Sequence, residues 1–139
     1  MKNLFQKIML LVVFGSAFSS CKKGPGEGGN SSIVGKIQVI KLDPFLIDTL
    51  VVYGGFDEDV YIIYGDDISY GDRIRSGPDG RFEFKYLREG DYRIYVYSED
   101  TLAAGFQDTV PDKYVVMKDA TITSKKQVVD IGILEIKKH

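Results

Sequence analysis

The chain has one cysteine, one histidine, four prolines and no tryptophan in 139 residues. A single Cys excludes an internal disulfide framework and any cysteine-rich zinc site. The one His is His139, the last residue, so no interior imidazole is available to activate a serine or threonine. Nor is there an excess of one charge. Lys and Arg number 18 against 20 Asp and Glu, a formal net charge of −2, whereas electrostatic nucleic-acid binding needs a basic surface. No apolar run approaches the about 20 residues of a membrane-spanning helix. No dozen-residue window carries a 3.6-residue period either. What remains is 44% hydrophobic residues, with nine Tyr and eight Phe, enough for one packed domain.

Residues 1–20 read as an export signal. Lys2 and Lys7 form a positive start, Ile8 to Phe14 an apolar stretch, and Gly15, Ser16 and Ala17 a small-residue end. Phe18-Ser19-Ser20-Cys21 resembles a bacterial lipobox, in which the Cys is acylated and becomes the new N-terminus. Two or three acyl chains on Cys21 would anchor the chain stably in a lipid bilayer, at about 0.8 kcal/mol per buried CH₂. The mature chain would keep 16 basic and 20 acidic residues, a net charge of −4. Residues 21–32, rich in Gly and Ser, read as a flexible tether. Lys22 stands where an inner-membrane retention signal would have Asp, so the expected site is the outer membrane. The Cys-Lys-Lys start and Gly-rich spacer resemble Bacteroidetes-type lipoproteins. In that group acidic residues after the Cys promote surface display; only Glu27 is present here, which leaves the facing side open.

From residue 33 to 139 the period is two. Ile33, Gly35, Ile37 and Val39 alternate with Val34, Lys36, Gln38 and Ile40. Further strands are expected at 50–53, 60–64, 81–86, 91–97, 114–117, 120–123 and 127–136, separated by Gly- and Asp-rich turns. The stretch 98–111 has no clear period. This pattern predicts an all-β fold: one antiparallel, Greek-key-type β-sandwich of about seven strands.

One segment is more specific. Asp79-Gly80-Arg81-Phe82-Glu83-Phe84 followed by Leu87, Gly90, Tyr92, Ile94 and Val96 resembles carboxypeptidase-regulatory-like, transthyretin-like (prealbumin-type) and Cna-B-type sandwich domains. The resemblance implies a turn at Gly80, Phe82, Phe84 and Leu87 in the core, a reversal at Gly90, and Tyr92, Ile94 and Val96 on the same inner face. It implies little about function, since the fold hosts many roles. No Asn follows Asn30, so an internal Lys–Asn isopeptide bond is excluded. The histidines of the hydroxyisourate hydrolases are missing as well.

Candidate site residues lie between 54 and 72. Asp57, Glu58, Asp59, Asp66, Asp67 and Asp72 fall within 16 residues of one another. Turn chemistry accounts for them; the other uses of such oxygens are the acid/base pair of a glycosidase and a weak Ca²⁺ site, but the spacing matches no EF-hand. Tyr61, Tyr64 and Tyr70 flank them, and a phenol beside a carboxylate suits carbohydrate or protein recognition. The expected ligand-binding set is Tyr61, Tyr64, Tyr70, Asp66, Asp67 and Asp72, on loops 54–59 and 65–72 at one end of the sandwich. Tyr95 and Tyr97 are expected on the outward face. Arg73, Arg75, Arg81 and Arg93, with Glu83, read as a mixed-charge solvated face. No catalytic residue, metal or cofactor is assigned. The expectation is a non-enzymatic, lipid-anchored envelope module for adhesion, assembly or accessory binding, with an envelope protein or a glycan as partner. The alternative is a small glycan-binding accessory lipoprotein.

Overall fold

The computed structural model describes residues 23–42, 49–99 and 113–138. The export signal, Cys21 and most of the aperiodic 98–111 stretch lie outside the described residues. The period-two segments are strands: β1 (Glu27–Leu42), β2 (Thr49–Gly54), β3 (Asp59–Tyr64), β4 (Asp72–Arg75), β5 (Arg81–Leu87), β6 (Gly90–Glu99), β7 (Lys113–Ile122) and β8 (Val128–Lys138). No helix among these residues is long and apolar enough to cross a membrane.

Two sheets form. In the first, β1 is central: β8 runs along one edge, and β5 and β2 lie end to end along the other. The second has the order β4-β3-β6-β7, all antiparallel. The expected all-β sandwich is therefore present, with two differences. β4 is an extra short strand, carried by Asp72–Arg75 pairing with β3. The β1–β8 pair is parallel, not antiparallel. Parallel neighbours need a long crossover, and here the chain passes through the whole second sheet between the two. The segments 114–117 and 120–123 are one strand, because Val116, Lys118, Ala120 and Ile122 keep a single phase across them.

Both inner faces supply the core. Ile33, Ile37, Val39, Phe82, Phe84, Leu87, Leu134 and Ile136 from the first sheet meet Val60, Ile62, Tyr92, Ile94, Val96, Ala120 and Ile122 from the second. Each large side chain so buried contributes about 1.5–3 kcal/mol. Gly35 faces inward, and a Cβ there would sit 2.6 Å from the Phe82 ring, so the missing side chain makes room for the phenyl group. Tyr86 takes φ 59°, which breaks the alternation of β5 and lets Leu87 turn inward after Phe82 and Phe84. Arg88 and Glu89 then carry the chain to the other sheet. Tyr92, Ile94 and Val96 thus face β5 across the core instead of pairing with it.

The expected tether at 21–32 is overturned from Glu27 onward, where β1 already begins, and Ser31 and Ser32 are buried. The glycines here serve close approach, not looseness. A Cβ on Gly29 would lie 1.9 Å from the Leu87 carbonyl oxygen, and Gly26 has φ +136°. Arg88 grips the segment that precedes β1, which we term the strap. Its Nε donates to the Gly24 carbonyl at 2.7 Å, its Nη2 to Pro25 and its Nη1 to Glu27. The Arg88 backbone N–H donates to the Gly26 carbonyl at 2.9 Å. The Tyr92 hydroxyl donates to the Arg88 carbonyl at 2.7 Å and accepts from the Gly26 N–H at 2.9 Å. A hydroxyl bonded back to the backbone upstream is the device known from sandwiches as a tyrosine corner.

Candidate functional site

The outward face of the second sheet follows from strand alternation. On β3, Val60, Ile62 and Tyr64 point inward, which leaves Asp59, Tyr61 and Ile63 outward. Register places Tyr61 between Arg73 on β4 and Tyr95 on β6, and Tyr95 beside Met117 on β7. The Tyr61 and Tyr95 rings stack at 4.8 Å and 9°. Tyr70 meets Tyr61 edge-on at 5.1 Å, and Tyr97 meets both Tyr61 and Tyr95 edge-on at 5.7 Å. Offset and edge-to-face contacts of this kind are the favoured ring geometries. Tyr95 forms the floor, at 9% exposure, while Tyr70 and Tyr97 are 52% and 44% exposed. Burial, and after it the neighbouring Tyr97, raises the Tyr95 pKa. Val115 and Met117 extend the exposed apolar surface beside them.

Charged groups border the rings. Arg75 Nη1 donates to both carboxylate oxygens of Asp57, at 3.0 and 2.8 Å. Asp59 lies 3.4 Å from Arg75 and 3.6 Å from Arg73. Its shielded Oδ1 takes no hydrogen bond among the described residues. At the same end is a shallow hollow of about 210 Å³, lined by Asp57, Glu58, Asp59, Tyr61, Tyr97, Glu99, Lys113 and Lys138. Buried Ser76 holds its rim. The Ser76 Oγ donates to the Gly55 carbonyl and accepts the Glu58 N–H at 2.9 Å, while its own N–H donates to the Glu58 carbonyl at 3.0 Å. Lys138 pairs with Glu58 across the two sheets. Larger hollows occur elsewhere. One of about 610 Å³ lies over the outer face of the first sheet, at Val34, Lys36, Arg81 and Asp130. It has charged walls and few rings.

The expected set is only partly brought together. Tyr61 and Tyr70 join Tyr95 and Tyr97. Tyr64 does not: it packs against the core, edge-on to Tyr92 at 5.9 Å. Burial, and after it the carboxylates of Glu27 and Asp72, push its pKa up to about 12. The two loops, expected at one end, lie at opposite ends of β3. Six strand residues put them roughly 17 Å apart. Asp66 and Asp67 are exposed on the 65–71 loop, whose backbone Arg93 fixes by donating to the carbonyls of Gly65 and Asp67 at 3.2 and 2.7 Å. Asp72 accepts the Arg73 N–H at 2.7 Å. The mixed-charge stripe is divided as well: Arg73, Arg75 and Arg93 sit on the second sheet, Arg81 and Glu83 on the first. Among the described residues no three His, Cys, Asp or Glu side chains gather closely enough to hold a metal ion.

The alternation rule found Tyr95 and Tyr97; nothing local in the sequence signals Ser76.

No family model and no curated protein matches the sequence. Among solved structures the fold is similar to that of a Pseudomonas aeruginosa protein described as a "putative carbohydrate binding protein". The TM-score is 0.51 at 14% identity, over 79% of this chain and 90% of that one.

Proposed function

We propose that the chain is a non-enzymatic, lipid-anchored envelope module that binds carbohydrate across the tyrosine face of its second sheet. The observation that carries this reading is the contact group of Tyr61, Tyr70, Tyr95 and Tyr97 bordered by Asp59, Arg73 and Arg75. A sugar ring has apolar C–H faces, which lie on phenol rings, and equatorial hydroxyls, which hydrogen-bond to carboxylates and guanidinium groups at the border. Buried Tyr95 fixes the Tyr61 ring in advance, so little side-chain order is lost on binding. The likeness to a protein described as carbohydrate binding supports the same reading. Acylation of Cys21 would place the module at the outer membrane. The mass of the N-terminal peptide tests that step, and protease treatment of intact cells tests which side it faces.

The binding test is an oligosaccharide array followed by tyrosine fluorescence titration; the absence of Trp leaves that signal unobscured. Tyr70→Ala combined with Tyr97→Ala is expected to weaken the best array ligand at least about tenfold while the fold is retained. Tyr64→Phe is expected to leave affinity unchanged. An affinity indifferent to the double substitution overturns the reading.

One observation favours a second reading, protein assembly. Among the described residues β7 is an edge strand, and Val115 and Met117 are exposed on it, so it has the form of a strand that accepts a partner strand. Against this, Lys118 points inward from the same strand and donates to the Ile131 carbonyl at 2.8 Å. An inward-pointing charge is a common guard against edge pairing.

A further inference from the structure

We propose that the strap end of the sandwich rests on the bilayer, and that the groove beside the strap takes the phosphate headgroups of anionic lipids. The inference builds on the reading of Cys21 as the lipid anchor and adds the surface that meets the membrane.

The first argument is reach. Gly24 is fixed to Arg88 through its carbonyl. Only Lys22 and Lys23 separate it from Cys21. Three residue steps span at most about 11 Å when fully extended. An anchor this short holds one chosen end of the domain at the headgroup layer, whereas a long flexible tether would let the domain tumble.

The second argument is charge. A groove of about 740 Å³ opens beside the strap, lined along one side by residues 28–31 and Leu87. Lys23, Arg88 and Lys125 line it, with Glu89 as its one carboxylate. The Arg88 guanidinium is held by backbone carbonyls, not by a carboxylate, so its charge is not cancelled. Lys125 stands on the turn between β7 and β8, which is fixed to β1 through Ser31: its hydroxyl donates to the Ser124 carbonyl at 3.0 Å and accepts the Gln127 N–H at 3.1 Å. Of the other carboxylates of this end, Glu27 stands against Tyr64, Asp66 and Asp67 lie on the 65–71 loop with Arg93 beside them, and Asp91 opens β6, all toward the second sheet, while Asp130 sits farther along β8, opposite Val34 and outside the groove lining. The groove lining itself therefore carries three cations against one carboxylate. Phosphate oxygens are the complementary ligand. The Asp57–Glu58 hollow, at the other end of β3, would then point away from the membrane.

The test couples the chain from Cys21 onward, which keeps every described element, to vesicles through its single thiol and a maleimide-bearing lipid. Amide hydrogen exchange is followed on phosphatidylcholine vesicles with and without phosphatidylglycerol. With phosphatidylglycerol, amides 28–31 and 124–126 are expected to slow by about fivefold per engaged cation. Amides 54–58 and 76–80 should be unchanged. Lys23→Glu with Lys125→Glu, both at exposed positions, should abolish the slowing. Equal protection on both vesicle types, protection of the far end, or indifference to the charge reversal overturns the proposal. Because the chemistry supplies the anchor, the result stands apart from whether cells acylate Cys21, which the peptide mass decides.

Discussion

The two sheets use opposite means on similar frames. The second depends on side chains that are present: Tyr61, Tyr70, Tyr95 and Tyr97 cover its outer face, and Tyr95 is nearly buried there without belonging to the core between the sheets. The first depends on side chains that are missing. Gly35 yields its space to Phe82, Gly29 lies on the Leu87 carbonyl, and Gly54 and Gly80 meet where β2 gives way to β5 along β1. A Cβ on Gly80 would fall 2.2 Å from the Ile37 oxygen. The comparison separates two meanings of an outward position: on one sheet it carries a surface for a ligand, on the other it is solvated cover for a tight backbone.

Truncation and enlargement should therefore hurt different sheets. The largest effect is expected for Tyr95→Ala, which removes a buried ring and the support for Tyr61, at about 3 kcal/mol in urea unfolding. Glu83→Ala, outward on the first sheet, should stay within about 0.5 kcal/mol. If the two variants cost the same, the second face is ordinary surface. Next comes Gly29→Ala. Its new methyl group runs into the Leu87–Arg88 peptide unit, with the Leu87 oxygen at 1.9 Å and the Arg88 nitrogen at 2.6 Å, so the strap must shift. The expected loss is about 1–3 kcal/mol, with faster proteolysis near residue 26. Gly77→Ala, whose nearest contact is 3.5 Å away, is the control.

The same contrast explains what could be read from the sequence. Alternation is a local signal, and it placed Phe82, Phe84, Tyr92, Ile94 and Val96 inward and Tyr95 and Tyr97 outward; Leu87 lies out of phase with Phe82 and Phe84, and its inward position came from the family pattern. The reason a glycine is present is not local. Gly26 and Gly29 suggest flexibility in a string of Gly and Ser, and only Leu87 and Arg88, about 60 positions later, turn them into a close-packed strand. Tyr64 was grouped with Tyr61 by proximity along the chain, although three positions along a strand reverse the face. Strand length had the same effect on the loops: a six-residue β3 separates 54–58 from 65–71, where the sequence suggested one loop cluster. The parallel β1–β8 pair has no local signature.

Tyr64 also offers a pH test that sharpens the difference between ring surface and ring core. Its pKa is raised to about 12 because burial and the nearby carboxylates disfavour the phenolate. The unfolded chain has the ordinary tyrosine value of about 10. The neutral phenol therefore favours the folded state below about pH 10, and this contribution is lost as pH rises through about 12. Tyrosinate absorbance should show a late phenol whose ionisation coincides with unfolding, and Tyr64→Phe should remove it.

The smallest expected effect concerns the ion pairs on the two faces. Arg75 holds Asp57 with two contacts and Asp59 with a third, and the Asp57 carboxylate raises its proton affinity further. Among the described residues the ion pair of Lys85, on the first sheet, is a single contact with Glu83, at 3.3 Å. Apart from the half-buried Asp59 these groups are well exposed, so salt screens them. A guanidinium fork held by two carboxylates still loses less freedom per contact than one ammonium on a flexible stem. Arg75→Gln should therefore lower the thermal midpoint by a few degrees at low ionic strength and leave it unchanged in molar salt. Lys85→Gln should shift it in neither. A salt-dependent midpoint for Lys85→Gln matching that of Arg75→Gln would mean that the border of the tyrosine face is no better ordered than the charged cover of the other sheet. The case for a pre-arranged polar rim around the rings would then fall, whatever the rings themselves bind.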